Sequence, residues 1–173
     1  GCAAGVLNSP DPSSDPATDA HLVKRYGPAD HFEAKRANKV HLQERIGLDA
    51  NPDAPMLFWP SRLDPVQKGC QLLAEILFKT VDQYRDEGLQ VVFVANGAFQ
   101  QVFHDIAYQH DLYRRVAVCN FEEGLSHLGF AASDFLLMPS LFEPCGLPQM
   151  ISAIYGSLPI AHDTGGLHDT VSH

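Results

Sequence analysis

Gln90-Val91-Val92-Phe93-Val94-Ala95 is an apolar run headed by a single glutamine, and Asn96-Gly97 closes it before a helix-periodic stretch over about 99–110. A run of β-branched and aromatic residues without alternation describes a strand buried on both faces, and the helix that follows so soon is a crossover. The same unit recurs on either side. Upstream, residues 56–59 are a short apolar run, followed by a loop and a periodic helix over about 68–85. Downstream, strands are predicted at 115–119, 135–138 and 158–161, with helices at 124–132, at 149–155 and opening at Gly166. Strands alternating with helices predict an α/β chain: a doubly wound parallel sheet covered on both faces, with right-handed crossovers.

The 173 residues leave room for about one domain, and 45% hydrophobic with 19% charged residues is a globular composition. Twelve basic against 21 acidic residues give a formal charge of −9, which argues against nucleic acid or another polyanion as the main partner. No uninterrupted apolar stretch reaches the ~20 residues that a membrane-spanning helix needs. Cys2, Cys70, Cys119 and Cys145 are far apart and form no CxxC pair, so they are read as reduced, mostly buried thiols. His162, His168 and His173 do not share a helix face and lack a completing ligand, so no metal site is read there. Residues 8–30 are rich in Pro, Asp and Ser and are read as an irregular connector, a hinge or linker segment over 1–30. A short amphipathic helix over 31–47 with a glycine stop then opens the domain proper, 31–173. No signal peptide is read at Gly1-Cys2-Ala3-Ala4-Gly5, and both ends look like cuts inside a longer chain, truncated on each side.

Parallel sheets of this kind bind ligands beyond the carboxyl ends of their strands. The loop after the first strand, Pro60-Ser61-Arg62-Leu63-Asp64-Pro65-Val66-Gln67-Lys68-Gly69, carries a guanidinium and an ammonium beside a helix start, a diphosphate clamp in form. Taken alone, they could equally be two solvated cations. The loop after the fourth strand, Ser140-Leu141-Phe142-Glu143-Pro144-Cys145-Gly146-Leu147-Pro148, places Glu143 at the mouth of the crevice. A carboxylate there can hold sugar hydroxyls or stabilise positive charge at an anomeric carbon, with the Cys145, Gly146 and Leu147 amides following as donors. The plainer reading is a helix-capping acid. The last loop, His162-Asp163-Thr164-Gly165-Gly166, lets backbone come close to a phosphate, or is an ordinary turn capped by Thr164. Gly97 could approach a ligand, and Phe121 could pack on a flat base or simply join the core.

The convergence of these loops is more specific than any one of them. Ser61-Arg62-Leu63 with Gln67-Lys68-Gly69, residues 134–140, Phe142-Glu143-Pro144-Cys145-Gly146-Leu147, and Thr164-Gly165-Gly166-Leu167 with Asp169-Thr170-Val171 resemble, in order and spacing, the signatures of the glycogen/starch synthases. Gly5-Val6-Leu7-Asn8 and Asp15-Pro16-Ala17-Thr18-Asp19 resemble that family's hinge into its second domain. The sequence departs from the family at Ser9-Pro10 in the hinge, at Ala95-Asn96-Gly97, and at Ile151, where many related enzymes carry a second glutamate.

The resemblance implies a Rossmann-like domain, the C-terminal half of a two-domain GT-B fold, and a retaining transferase moving glucose from ADP-glucose to the non-reducing end of an α-1,4-glucan. It implies that Arg62 and Lys68 hold the donor diphosphate, that Glu143 lies by the transferred glucose, and that Cys145, with Gly146 and Leu147, lines the site. Thr164, Gly165 and Gly166 would cradle phosphate, Phe121 would lie beside adenine, and Asn8 would sit near the cleft. No cofactor or catalytic metal is expected. The partners expected are the nucleotide sugar, the glucan and an N-terminal domain of the same chain, in bacterial cytosol or plastid stroma, and this piece alone would be inactive. The alternatives are another GT-B transferase using a UDP- or GDP-sugar, and a non-catalytic glucan-binding or regulatory paralogue. A dinucleotide-dependent dehydrogenase is disfavoured, because no Gly-x-Gly-x-x-Gly follows any strand.

Overall fold

The computed structural model describes residues 8–172. Five strands form one parallel sheet: β1 (Met56–Trp59), β2 (Gln90–Val94), β3 (Val116–Cys119), β4 (Phe135–Met138) and β5 (Leu158–Ala161). The helices are α1 (His31–Ile46), α2 (Cys70–Gln83), α3 (Gln100–Gln109), α4 (Glu123–Ala132), α5 (Pro148–Ile154) and α6 (Gly165–Thr170). The strand order is β3-β2-β1-β4-β5, so the winding reverses between β1 and β4, which pair at Leu57 with Phe135 and Phe58 with Leu136. Ligands of doubly wound sheets sit beyond such a reversal.

Two apolar layers cover the sheet. On one face, α2 presents Cys70, Leu73, Leu77 and Val81 at helical spacing, and packs with Phe103 and Ala107 of α3 on Trp59, Val91 and Phe93. On the other, α4 and α5 pack on Phe58, Val92, Val94, Leu136 and Met138, with α1 as an outer layer against α4. All five residues of β2 are buried, which is why its sequence lacks alternation. β5 is an edge strand. Its Pro159, on the side away from β4, brings no N–H to the open edge.

Helix α1 follows its expected bounds but not its expected character. Its inner face is polar: Asn38, Lys39 and Gln43 are buried with Ala34 and Leu42. Each is satisfied by a specific partner. The Asn38 Oδ1 accepts from the Val23 and Lys24 amides at 3.0 and 3.3 Å. The Lys39 Nζ donates to Ala54 O at 2.9 Å and to the Asp134 carboxylate at 2.7 Å. Gln43 bonds both Asn51 N and Asn51 O, and reaches Gln90 Oε1 at 2.9 Å.

The segment preceding α1 is irregular but packed. Pro16, Asp19, Leu22 and Tyr26 are buried. The Tyr26 hydroxyl donates to Tyr155 O at 2.7 Å, and the Tyr155 hydroxyl donates to Asp19 at 2.6 Å. Gly5, Val6 and Leu7 of the hinge motif, with Cys2 and His173, lie outside the described residues.

Candidate active site at the strand reversal

The loop leaving β1 is built to present its cations. Trp59 Nε1 donates to Ser61 O at 2.6 Å, Leu63 is fully buried, and its amide donates to Asn96 O at 2.9 Å. The Asp64 carboxylate then accepts the Val66 and Gln67 amides, both at 2.9 Å. Those bonds, Gln67's first, hold its carboxyl below the usual aspartate range. Gly69, at φ 75°, starts α2 where an added Cβ would collide with Pro139 O. The close approach therefore admits only glycine, and it ties the β1 loop to the β4 loop.

Across that seam the two loops bond to each other. The Leu141 amide donates to Gln67 O at 2.8 Å, and the Gln67 side chain donates to Phe142 O at 3.3 Å. Beneath them, Lys68 Nζ meets Glu143 Oε2 at 2.6 Å, their side chains only 15% and 10% exposed. Ser140 Oγ lies 3.5 Å from the same oxygen, and His162 Nδ1 bonds Ser140 O at 2.9 Å. Two residues 75 positions apart thus form a shielded ion pair at the reversal.

The remaining predicted residues fall around this pair. Arg62 is exposed and, with Phe121, Asn96, Ala95 and Pro60, lines a cleft of about 190 Å³ beyond β1, β2 and β3. Phe121 is 57% exposed, and its amide donates to Asn96 Oδ1 at 3.0 Å, so it stands over the cleft rather than in the core. Cys145 Sγ reaches Asn8 O at 3.8 Å, which brings the end of the hinge motif to the β4 loop. Among the described residues, the Cys145, Gly146 and Leu147 amides have no backbone acceptor. Leu147 is partly exposed at the start of α5, and Thr164 Oγ1 lies 3.5 Å from Leu141 O without capping α6.

One glycine reading is corrected. Gly166 does not offer a free amide: its N–H donates to Glu143 O at 2.8 Å, and an added Cβ would collide with Cys145 backbone. The glycine pair is required because the last loop lies directly on the Glu143 loop, so it buttresses Glu143. Gly97 also packs on the Leu63 backbone and stays exposed at the end of β2. Sequence reading placed Ser140, Gln67 and His162 in these loops but gave them no role, because hydrogen bonds to other loops leave no local pattern. Burial pushes the Cys70 thiol up to about 11 and raises that of Cys119, consistent with unreactive thiols.

A cavity of about 540 Å³ lies at the opposite ends of the strands, beside Lys35, Arg36, Lys39 and Asp134. Its cations are already engaged: Lys35 by Ala131 O and Tyr155 O, Arg36 by Asp53, and Lys39 by Asp134. The reversal is the better candidate, because ligands of doubly wound sheets sit beyond the carboxyl ends of the strands, where Arg62 is exposed beside the Lys68–Glu143 pair.

No protein-family model matches the chain. Individual proteins do. It is 42% identical over 172 residues to a glycogen synthase of Exiguobacterium sibiricum, covering 96% of this chain and 34% of that protein. It is 39% identical over 171 residues to one from Acholeplasma laidlawii, covering 97% and 35%. A soluble starch synthase 3a of rice is 39% identical over 174 residues, 96% of this chain but 9% of that protein. Among solved structures, the catalytic domain of Arabidopsis thaliana starch synthase IV, bound to ADP and acarbose, superposes with a TM-score of 0.80 at 37% identity, covering 93% of this chain and 32% of that one. An Anabaena protein, HepE, in complex with UDP-glucose superposes at 0.61 with 22% identity, covering 86% and 37%, and shares the fold. The chain spans about a third of the length of the glycogen synthases it matches. Over nearly its whole extent, then, this chain belongs to the glycogen/starch synthases, glycosyltransferases of the GT-B fold, and corresponds to about one third of such an enzyme.

Proposed function

We propose that the chain is the donor-binding, C-terminal domain of an ADP-glucose-dependent glycogen or starch synthase, working in bacterial cytosol or plastid stroma. The parent enzyme would transfer glucose to the non-reducing end of an α-1,4-glucan with retention. The observation that carries this reading is the Lys68–Glu143 pair at the strand reversal, flanked by Arg62 and Phe121 on one side and by Cys145 on the other. Four neighbouring strands, β3 to β4, span about 14 Å at ~4.8 Å per step. That is the scale of an extended nucleoside diphosphate sugar, laid with its base against Phe121, its diphosphate over Arg62 and Lys68, and its glucose at Glu143.

The chemistry follows from charge. Breaking the bond between the anomeric carbon and the diphosphate leaves positive charge on the sugar and negative charge on the leaving group. Glu143 stabilises the first, and Arg62 and Lys68 the second, in a partly dry site where fixed charges act strongly. An entering diphosphate competes with Glu143 for Lys68, so donor binding frees the carboxylate for the sugar. The Cys145, Gly146 and Leu147 amides are further donors toward the ligand, Thr164 and Gly165 border the site, and Asn8 closes it beside Cys145. This scheme invokes no catalytic metal, since the cations do the neutralising. The glucan acceptor would be held by an N-terminal domain, and proximity and water exclusion would need both halves.

Competition among ADP, UDP and GDP for the chain tests the donor assignment. ADP is expected to bind tightest, and a preference for UDP or GDP would contradict it. Joined to the rest of a homologous glycogen synthase, the chain should support glucose transfer, and Glu143→Gln should lower turnover far more than ADP affinity. Equal losses in both would make Glu143 a binding residue only.

A further inference from the structure

Among the described residues, Asp19, His21 and His127 bring one carboxylate oxygen and two imidazole nitrogens within 4.8 Å of one another. From this cluster we infer that the chain carries a site for a divalent metal ion of the zinc class, independent of the nucleotide reading above. Asp19 is the unusual member: a carboxylate only 5% exposed, on an irregular segment, turned inward against α4 and α5. Its Oδ2 accepts the Tyr155 hydroxyl at 2.6 Å and meets His127 Nδ1 at 2.6 Å, and its Oδ1 accepts the His21 amide at 2.9 Å. The two imidazole rings lie 4.7 Å apart, tilted at 51°.

The donor set selects the ion. Two imidazoles and one carboxylate suit zinc and its neighbours, whereas calcium and magnesium prefer oxygen throughout. The cluster is reachable, because His127 lines a cavity of about 310 Å³ with Ser14, Phe121, Glu123, Ser126 and Tyr155. His21 is exposed, so water reaches the cluster from its side to complete the coordination. The Tyr155 hydroxyl fixes the carboxylate from behind, as metal-site ligands are commonly oriented by a second partner. No step needs an outside reagent: the His127 ring proton moves from Nδ1 to Nε2, and the freed Nδ1 lone pair takes the ion. Asp19 and His21 lie on the segment before α1, and His127 lies on α4. A bound ion therefore staples that segment to the domain.

Zinc titration of the chain against a chromophoric chelator tests the site. The expected result is one ion per chain, with His21→Ala weakening it at least about tenfold. His21 is exposed, so this variant should fold like the parent, which its circular dichroism would show. His168→Ala, at the exposed His168–Asp163 pair, should leave the titration unchanged. Zinc should also raise the unfolding temperature of the parent but not of His21→Ala. An absence of micromolar zinc binding, an isotherm untouched by His21→Ala, or one abolished by His168→Ala would overturn the proposal.

Discussion

Lys68 and Glu143 show what a pair of residues can and cannot do for a fold. Their ion pair is largely shielded, so its Coulombic gain is offset by the cost of removing both charges from water. Stability alone therefore does not account for the pair, and its place at the strand reversal points to a ligand. Removing one partner is different, because the other is left buried and uncompensated. Lys68→Met should destabilise the chain by about 3 kcal/mol in chemical denaturation, and adding Glu143→Gln should restore most of that loss. Two additive losses would mean the charges are not coupled in the folded chain. The type of each residue was legible in the sequence, since a cation and a carboxylate in loops after buried strands suggest a crevice. Their meeting was legible only through the rule that puts ligands at a strand reversal, because nothing local links positions 75 apart. Gly166 was misread for the same reason: a glycine that admits phosphate and one that admits a neighbouring loop look identical in sequence.

Among the elements, the strands and helices over 56–170 were almost wholly legible, because burial on both faces writes continuous apolar runs and single-face burial writes a helical period. Helix α1 was legible in extent and illegible in mechanism. Its inner face is held by amides and an ammonium whose partners lie on other elements, and mutual satisfaction has no periodicity. Gln43→Leu should therefore cost about 2 kcal/mol in spite of the added apolar surface, since it leaves Gln90 Oε1 and the Asn51 amide without their partner. A neutral or stabilising outcome in urea denaturation would contradict this. The segment before α1 depends on Asp19. Burial works to raise its pKa, but the hydrogen bonds from Tyr155 and His127 outweigh that and leave it below the ordinary aspartate value. A depressed carboxyl stabilises the fold above its unfolded pKa, and that contribution fades as pH falls through the lower folded value. Proteolysis within residues 8–30 should therefore accelerate as pH drops below about 4, while Asp19→Asn should already be fast at neutral pH. Equal rates at pH 7 for the two proteins would remove Asp19 as the clasp.

For the whole molecule, the sheet order turns scattered loops into one site. Reversing the winding between β1 and β4 opens the crevice, and the loops after β1, β4 and β5 then bond to one another around Glu143. An acidic chain with a charge of −9 gathers no phosphate over its general surface, so an anion should find it only where Arg62 and Lys68 are placed. The most direct measurement is an ADP titration of the chain followed by backbone amide shifts. The account predicts weak binding, in the high-micromolar to millimolar range and worth about 4–6 kcal/mol. Shift changes should concentrate at Arg62, Lys68, Phe121 and residues 143–147, and Lys68→Met should abolish them. Millimolar ADP that left those amides unmoved, or that moved only residues around α1, would contradict it.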